Sequence, residues 1–315
     1  MTLVTLEQIY EARERLRGIT THTRLFPVDG AFVKPESFQP IGSFKLRGAY
    51  NKIASLVEAE RPAGIITHSS GNHAQGVAYS AKQLGLPAVI IMPNNAPPIK
   101  VEATRSYGAE IVFLDPATER REIVTQRIMD QRPGWVLVHP FNDPQIIAGQ
   151  GTIGLEIFED FPDVEQVIVP IGGGGIISGV ATAIKSLKPT VKVIGVEPEL
   201  AADAQQSVRE GHVVEWAATD TNRTIADGVR TVSIGPLNYE HISAYVDKIV
   251  TVSEAEIRAA VRRLALQGKL VIEPSGAIPF AVWQAHRDEL PVQQNTVLVL
   301  SGGNIDPKLL AEIVS

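Results

Sequence analysis

The feature that most limits how this chain can fold is a repeated alternation of short apolar runs with helical segments. GIITH (64–68) precedes a helical pattern over 72–85, AVIIM (88–92) one over 97–107, EIVFL (110–114) one over 118–131, and WVLVH (135–139) one over 145–159. QVIVPI (166–171) and KVIGVE (192–197) lead to helices over 175–187 and 200–210. KIVTV (248–252) leads to two, over 254–267 and 275–288, and TVLVL (296–300) to a short helix from about 307. Runs this short, rich in Val and Ile and apolar on both faces, read as parallel strands covered on both sides. Regular β–α alternation makes the chain an α/β protein of doubly wound type, with enough strands for two sheets. Ahead of it, Thr5 and Gln8 have the spacing of a capping box on an amphipathic helix over 6–17. AFVKPE reads as a strand, and Leu46, Ala49, Tyr50, Ile53 and Leu56 share one helical face.

Charge and composition narrow the function classes. The net charge is −6 and no Lys/Arg run exceeds two residues, which argues against a nucleic-acid or anionic-membrane surface. There is no cysteine, so disulfides, thiolate chemistry and cysteine-ligated zinc or iron–sulfur sites are excluded. No apolar run reaches 18 residues and the first residues lack a signal-like core, so a cytoplasmic protein acting on a small molecule is expected.

In doubly wound folds ligands bind at the carboxyl ends of strands. Four loops there are richer than a connection needs. IGGGGIISG (171–179) places four consecutive glycines before a helix, where bare N–H groups and the helix dipole suit a phosphate. A plain strand-to-helix turn would need one or two. The spacing fits neither a dinucleotide fingerprint nor a Walker loop. THSSGNHAQG (67–76) clusters Ser69, Ser70, Asn72 and His73, of which a helix cap explains one. LSGGNID (300–306) carries Ser301. In IGSFKLRGAY (41–50), Lys45 falls in a first helical turn beside Phe44. Helix polarity and burial both favour its neutral amine, the form that Schiff-base chemistry needs; alone, a snorkelling surface lysine would be the better reading. Phosphate loop, desolvated lysine and polar loops together suggest pyridoxal phosphate.

FVKPESFQPIGSFKLRGAYNKI resembles the Schiff-base motif of the serine/threonine dehydratase family of fold type II pyridoxal-phosphate enzymes. SSGNHAQG, GGGG, IADGV (225–229), EPSGA (273–277) and SGGN (301–304) resemble its other motifs, in order. The resemblance implies two open, twisted, mostly parallel sheets with flanking helices: a large domain of residues 1–54 and 143–315 and a small mobile domain of 55–142. It implies Lys45 as the Schiff-base lysine, Phe44 against the cofactor ring, and Asn72 at the ring's phenolic oxygen. Gly172, Gly173, Gly174 and Gly175 would hold the phosphate, and Ser301 would face the ring nitrogen. Ser69, Ser70, Gly71 and Asn72 would bind the substrate carboxylate, with Ser70 as a candidate acid/base on the far face. Phe141 would line the substrate pocket, and Arg121 resembles a residue that reaches an acidic ligand. A homo-oligomer, dimer or tetramer, goes with it.

The implied reaction is dehydration and deamination of an L-β-hydroxy amino acid, threonine or serine, to a 2-oxo acid and ammonia. Serine racemase, 3-hydroxyaspartate dehydratase or racemase, and aryl-serine dehydratase are the alternatives. A β-replacement enzyme fits less well, and a phosphate-binding module without chemistry is the rival from another class. In GVEPELAAD (195–203), Glu197, the Ala201 carbonyl and Asp203 form an oxygen set that suits a structural Mg²⁺ or Ca²⁺, as in racemase-like members; capping of a helix by the acids is the plainer reading.

Overall fold

The computed structural model describes residues 2–69, 71–96, 98–115 and 118–315. α1 (Leu6–Leu16) opens with the expected Thr5–Gln8 capping box. A hairpin of β1 (Phe26–Val28) and β2 (Ala31–Pro35) precedes α2 (Lys45–Ala59). The first run of alternation is β3 (Gly64–His68), α3 (Asn72–Gln83), β4 (Ala88–Pro93), α4 (Pro98–Ser106), β5 (Glu110–Leu114), α5 (Arg121–Asp130) and β6 (Trp135–Leu137). The second is α6 (Pro144–Asp160), β7 (Gln166–Pro170), α7 (Gly175–Leu187), β8 (Lys192–Pro198) and α8 (Asp203–Glu210). After α9 (Ala218–Thr221) and α10 (Pro236–Tyr245) come β9 (Lys248–Val252), α11 (Glu254–Leu266), α12 (Pro274–Ala285), β10 (Thr296–Leu300) and α13 (Pro307–Val314).

The strands form two sheets. One has six strands in the order β1-β2-β10-β7-β8-β9; the other has four, in the order β5-β4-β3-β6. Every pairing is parallel except that of β1 with β2. In the larger sheet every residue of β7 and β10 is buried, as both-faces-apolar strands demand. α2 and α6 link the sheets: Ala49 and Ile53 of α2 and Ile146 of α6 join the core of the smaller sheet, beside Ile65, Val77 and Ile90. The helices cross at small residues. A Cβ on Gly149 of α6 would lie 2.6 Å from the Arg47 carbonyl of α2, so the two backbones can meet only over a glycine.

Two local departures have clear causes. Residues 200–210 are not one helix; a 3-10 turn, Glu199–Ala201, comes first, and α8 begins at Asp203. The Glu197 carboxylate accepts the N–H groups of Ala204 (2.9 Å) and Gln205 (2.8 Å), which fixes the start of α8. α10 has no clear sequence signature, because half of its buried residues, Asn238 and His241, are polar. His241 Nε2 accepts the Val4 N–H at 2.9 Å.

Behind α2 lies an ion cluster that the pattern of apolar residues does not announce. Arg47, Lys34 and Glu36 are fully buried. Arg47 donates to Glu36 at 2.8 Å through both Nε and Nη2, and to Glu156 at 2.7 and 2.8 Å through Nη1 and Nη2. Lys34 Nζ adds a bond of 2.6 Å to Glu156. Two cations balance two carboxylates and tie β2, α2 and α6 together next to Lys45.

Candidate active site

The carboxyl ends of both sheets open on a single cavity of about 1000 Å³ between them. Its wall includes Phe44, Lys45, Ser69, Gly71, Asn72, Arg121, Phe141, Gly172, Gly173, Gly174, Gly175 and Ser301. Ser70 lies outside the described residues. The remaining site residues named from the sequence therefore meet in one place, apart from the oxygen set at 197–203.

Lys45 is the first residue of α2, and Phe44 is its N-cap without a side-chain capping bond. The Lys45 amine points into the cavity, donates to the Pro140 carbonyl at 2.9 Å, and lies 5.2 Å from the centre of the Phe44 ring. Burial lowers its pKa to about 8, so a usable fraction is neutral near neutral pH. The histidines around it are kept neutral too, first of all by burial. His73 is held well below its ordinary value and bonded to the Val138 carbonyl (3.1 Å), and His139 is lowered to about 4. His139 Nδ1 accepts the Asn142 N–H at 2.9 Å and so shapes the turn that carries Pro140.

Across the cavity, α7 begins at Gly175. Its cap, Gly174, has φ +92°, a conformation open to glycine, and among the described residues no side chain makes a capping hydrogen bond there. The ring of Phe141 packs against Gly173 and its Cβ and backbone against Gly175, and a Cβ on Gly174 would stand 2.7 Å from Asn238 Cβ. The loop is thus glycine both for packing and for bare N–H groups. Those amides, with the positive end of α7, suit a phosphate. Ser301, at the end of β10, is buried, and its carbonyl accepts the Phe44 N–H at 3.0 Å. An amine of lowered basicity, an uncapped glycine-rich helix start and a buried serine fit pyridoxal phosphate.

Asn72 is gripped on both sides. Its Oδ1 accepts from Asn304 Nδ2 at 2.8 Å, and its Nδ2 donates to Glu273 Oε1 at 2.6 Å. Asn304 also donates to the Ile41 carbonyl at 2.9 Å. Glu273 and Asn304 fall in the EPSGA and SGGN motifs, yet no local pattern distinguishes them. Lys100 of α4 forms an ion pair with Asp227, which joins the smaller-sheet side of the cavity to the larger. Arg121 stands exposed on the wall, bonded to Glu122 at 2.9 Å.

The oxygen set lies elsewhere. Glu197 and Asp203 are fully buried, Ala201 nearly so, and neither Asp203 oxygen has a well-formed hydrogen bond. Burial and the neighbouring Asp203 raise Glu197 well above the ordinary carboxyl range; burial raises Asp203 to about 7. Glu197 does cap α8, as the plainer reading holds, but that leaves Asp203 unexplained. Among the described residues no third acidic or histidine side chain joins them.

The protein family described as pyridoxal-phosphate dependent enzyme matches residues 14–302. L-threonine ammonia-lyase of Thermotoga maritima is 45% identical over 322 aligned positions, which cover 99% of this chain and 79% of that protein. Serine racemase of Schizosaccharomyces pombe is 39% identical, covering 100% of this chain and 98% of its own. The crystal structure of T.th. threonine deaminase superposes with a TM-score of 0.89 at 41% identity, over 96% of this chain and 99% of that one.

Proposed function

Because the chain belongs to the family of pyridoxal-phosphate-dependent enzymes, we propose that it converts an L-β-hydroxy amino acid, threonine or serine, to a 2-oxo acid and ammonia. The observation that carries this reading is the Lys45 amine, partly neutral and aimed into a cavity whose far side is an uncapped glycine loop. When bound, pyridoxal phosphate supplies the electron sink that makes an amino acid's Cα–H acidic. The chain does the rest. Gly172, Gly173, Gly174 and Gly175 would hold the phosphate, with Phe44 beside the ring and Ser301 as partner of the ring nitrogen. Ser69, Gly71 and Asn72 bind the substrate carboxylate. Lys45 Nζ would take the Cα proton and, as the ammonium, give a proton to the β-hydroxyl, which leaves as water. Hydrolysis of the unsaturated amine then consumes one water and frees ammonia, so the net reaction is loss of ammonia alone. Closure of the segment 55–142 over the larger sheet excludes bulk water, with Lys100 and Asp227 meeting across the mouth.

A racemase would need a second acid/base on the opposite face, the role given above to Ser70. The discriminating measurement is a substrate panel scored for 2-oxo acid beside chiral analysis of the recovered amino acid. With L-threonine and L-serine, 2-oxo acid should form faster than the D-enantiomer or its diastereomer at Cα; the opposite ranking would overturn this reading in favour of racemisation. L-threo-3-hydroxyaspartate belongs in the panel for a specific reason. Arg230 lines the cavity with no carboxylate partner among the described residues, and Arg121 lines it as well. Two guanidinium groups there suit a second carboxylate.

We assign Glu197, the Ala201 carbonyl and Asp203 to a divalent cation of structural role, Mg²⁺ or Ca²⁺. A buried pair of carboxylates with an unsatisfied partner calls for a positive charge. A carboxyl raised to about 7 in the fold costs stability as pH climbs from its unfolded value of roughly 4 to that point. The ion's benefit should therefore be greatest above pH 7. Excess chelator at pH 8 should lower the melting temperature, Mg²⁺ should restore it, and the effect should shrink toward pH 5. An unchanged melting temperature at pH 8 would remove the ion. A homo-oligomer also belongs to this proposal, since Phe26 and Phe38 are exposed and stack edge-on at 6.0 Å beside the edge strand β1. Among the described residues no helix is long and apolar enough to cross a membrane.

A further inference from the structure

The best-defined polar geometry in the cavity surrounds Asn72 and is made by two groups that the proposed reaction does not use, Glu273 and Asn304. Asn72 has one amide oxygen and two N–H bonds to place. Asn304 occupies the oxygen from one side, at 2.8 Å, and is itself anchored to the Ile41 carbonyl. Glu273 takes one N–H, at 2.6 Å. One N–H is left for the cavity, which Asn72, Glu273 and Lys45 all line. If the amide turned over, its NH₂ would face the Asn304 NH₂ and its oxygen the Glu273 carboxylate, two repulsive contacts in place of two bonds. Glu273 and Asn304 thus fix which end of Asn72 a ligand meets. A Cβ on Gly302 would collide with Glu273 Oε1, so the carboxyl group reaches Asn72 across a bare backbone.

Glu273 is not isolated electrically. It is buried, and two charged groups face it: Asp227 from the loop before α10, and Lys100 from α4 on the opposite side of the cleft. Those two pair with each other. Among the described residues no other element around Glu273 adds a charge: α3 contributes Asn72, and the segment after β10 contributes Gly302, whose carbonyl accepts the Glu273 N–H at 3.1 Å.

We propose that Glu273 is a positioning residue which, as a carboxylate, locks Asn72 with one N–H toward the cofactor, and that the Lys100–Asp227 pair across the cleft governs its ionisation. This rests on the proposed pyridoxal-phosphate chemistry and adds a control to it. Burial and the charge of Asp227 raise the Glu273 carboxyl to about 7, while Lys100 and the Asn72 bond work the other way. Glu273 therefore changes charge in the neutral range, and a lobe movement that separated Lys100 from the cleft would shift the balance.

The test is spectroscopic and uses the cofactor-loaded protein. The visible band of the bound cofactor is followed from pH 5.5 to 9, and cofactor affinity is measured by titration. Wild type should show a transition near neutrality. Lys100→Met removes a group that favours the carboxylate, so the midpoint should move up. Asp227→Asn removes a group that disfavours it, so the midpoint should move down. Opposite shifts from the two halves of one ion pair are not what loss of structural support would give. Glu273→Gln keeps an acceptor for Asn72; it should retain cofactor affinity within about threefold and lose the transition. Glu273→Leu and Asn304→Ala should each weaken affinity about tenfold, the effect of losing one charge-assisted or buried bond. A transition that survives in Glu273→Gln, midpoints that move the same way in both ion-pair variants, or no transition in wild type would overturn the inference while leaving the proposed activity in place. A wild type that forms no visible band would overturn both.

Discussion

Lys45→Ala should abolish turnover, a loss of at least about 10³-fold, because the variant has neither the amine that anchors the cofactor nor the base for the Cα proton. The structure narrows what else the substitution could do. Among the described residues the amine's one protein hydrogen bond is to the Pro140 carbonyl at 2.9 Å, on the cavity wall, so the core is untouched. Lys45→Arg is the matching control: it keeps a donor for Pro140 but cannot join covalently to an aldehyde. Both variants should lack the visible band of the loaded enzyme and should not retain cofactor after borohydride reduction, while their melting temperatures without cofactor stay near that of wild type. Loading of the wild-type apoprotein should also quicken as pH rises through about 8, where the amine loses its proton. A Lys45→Ala protein that still shows the band and turns over substrate would remove Lys45 from the chemistry.

Arg47→Ala should be the most damaging substitution for stability, by about 3–5 kcal/mol, since it leaves Glu36 and Glu156 buried with Lys34 as their single cation. The pH dependence carries the sharper test. In wild type, burial alone would raise Glu156, but Arg47 and Lys34 overcome it and hold the carboxyl at about 2. A carboxyl lowered from its ordinary 4.5 adds stability above that value and loses it as pH falls toward 2. Without Arg47, Lys34 alone opposes the burial of Glu156, and acid should relieve part of the strain. The gap in stability between wild type and Arg47→Ala, read from denaturant midpoints, should therefore narrow as pH drops from 5 to 3. A constant gap would mean that the guanidinium contributes through packing rather than charge. The cluster also braces the first turns of α2, so a weakened Arg47 variant should bind cofactor less tightly than its remaining folded fraction explains.

The strands were legible because their signal is local. GIITH, EIVFL, KIVTV and TVLVL coincide with β3, β5, β9 and β10 residue for residue: β10 is buried at every position and so apolar throughout, while the edge strands β5 and β9, partly exposed and opening on Glu110 and Lys248, still carry a short Val/Ile-rich run. Lys45 and the four glycines were legible for a related reason: each departs from what its local element needs, a cation at a helix start or glycines beyond a turn's requirement, whereas Ser301 was named through the family resemblance. α10 was not legible, because its buried face spends Asn238 and His241 on long-range hydrogen bonds and erases the apolar period.

What the tertiary structure alone decided are the pairings. Glu273 reaches Asn72 across 201 residues of chain, and Asn304 reaches it across 232. Lys34, Glu36, Arg47 and Glu156 each read as ordinary surface charges until the sheet order places β2 beside β10 and crosses α2 over α6 at Gly149. The same holds for Lys100 and Asp227, which meet only because the two sheets present their carboxyl ends to one cavity. The apolar pattern of a sequence encodes which face of each element leaves water, because that free energy scales with area element by element. Which buried charge meets which depends on directions and distances between elements far apart in the chain, and those exist only once the elements have packed.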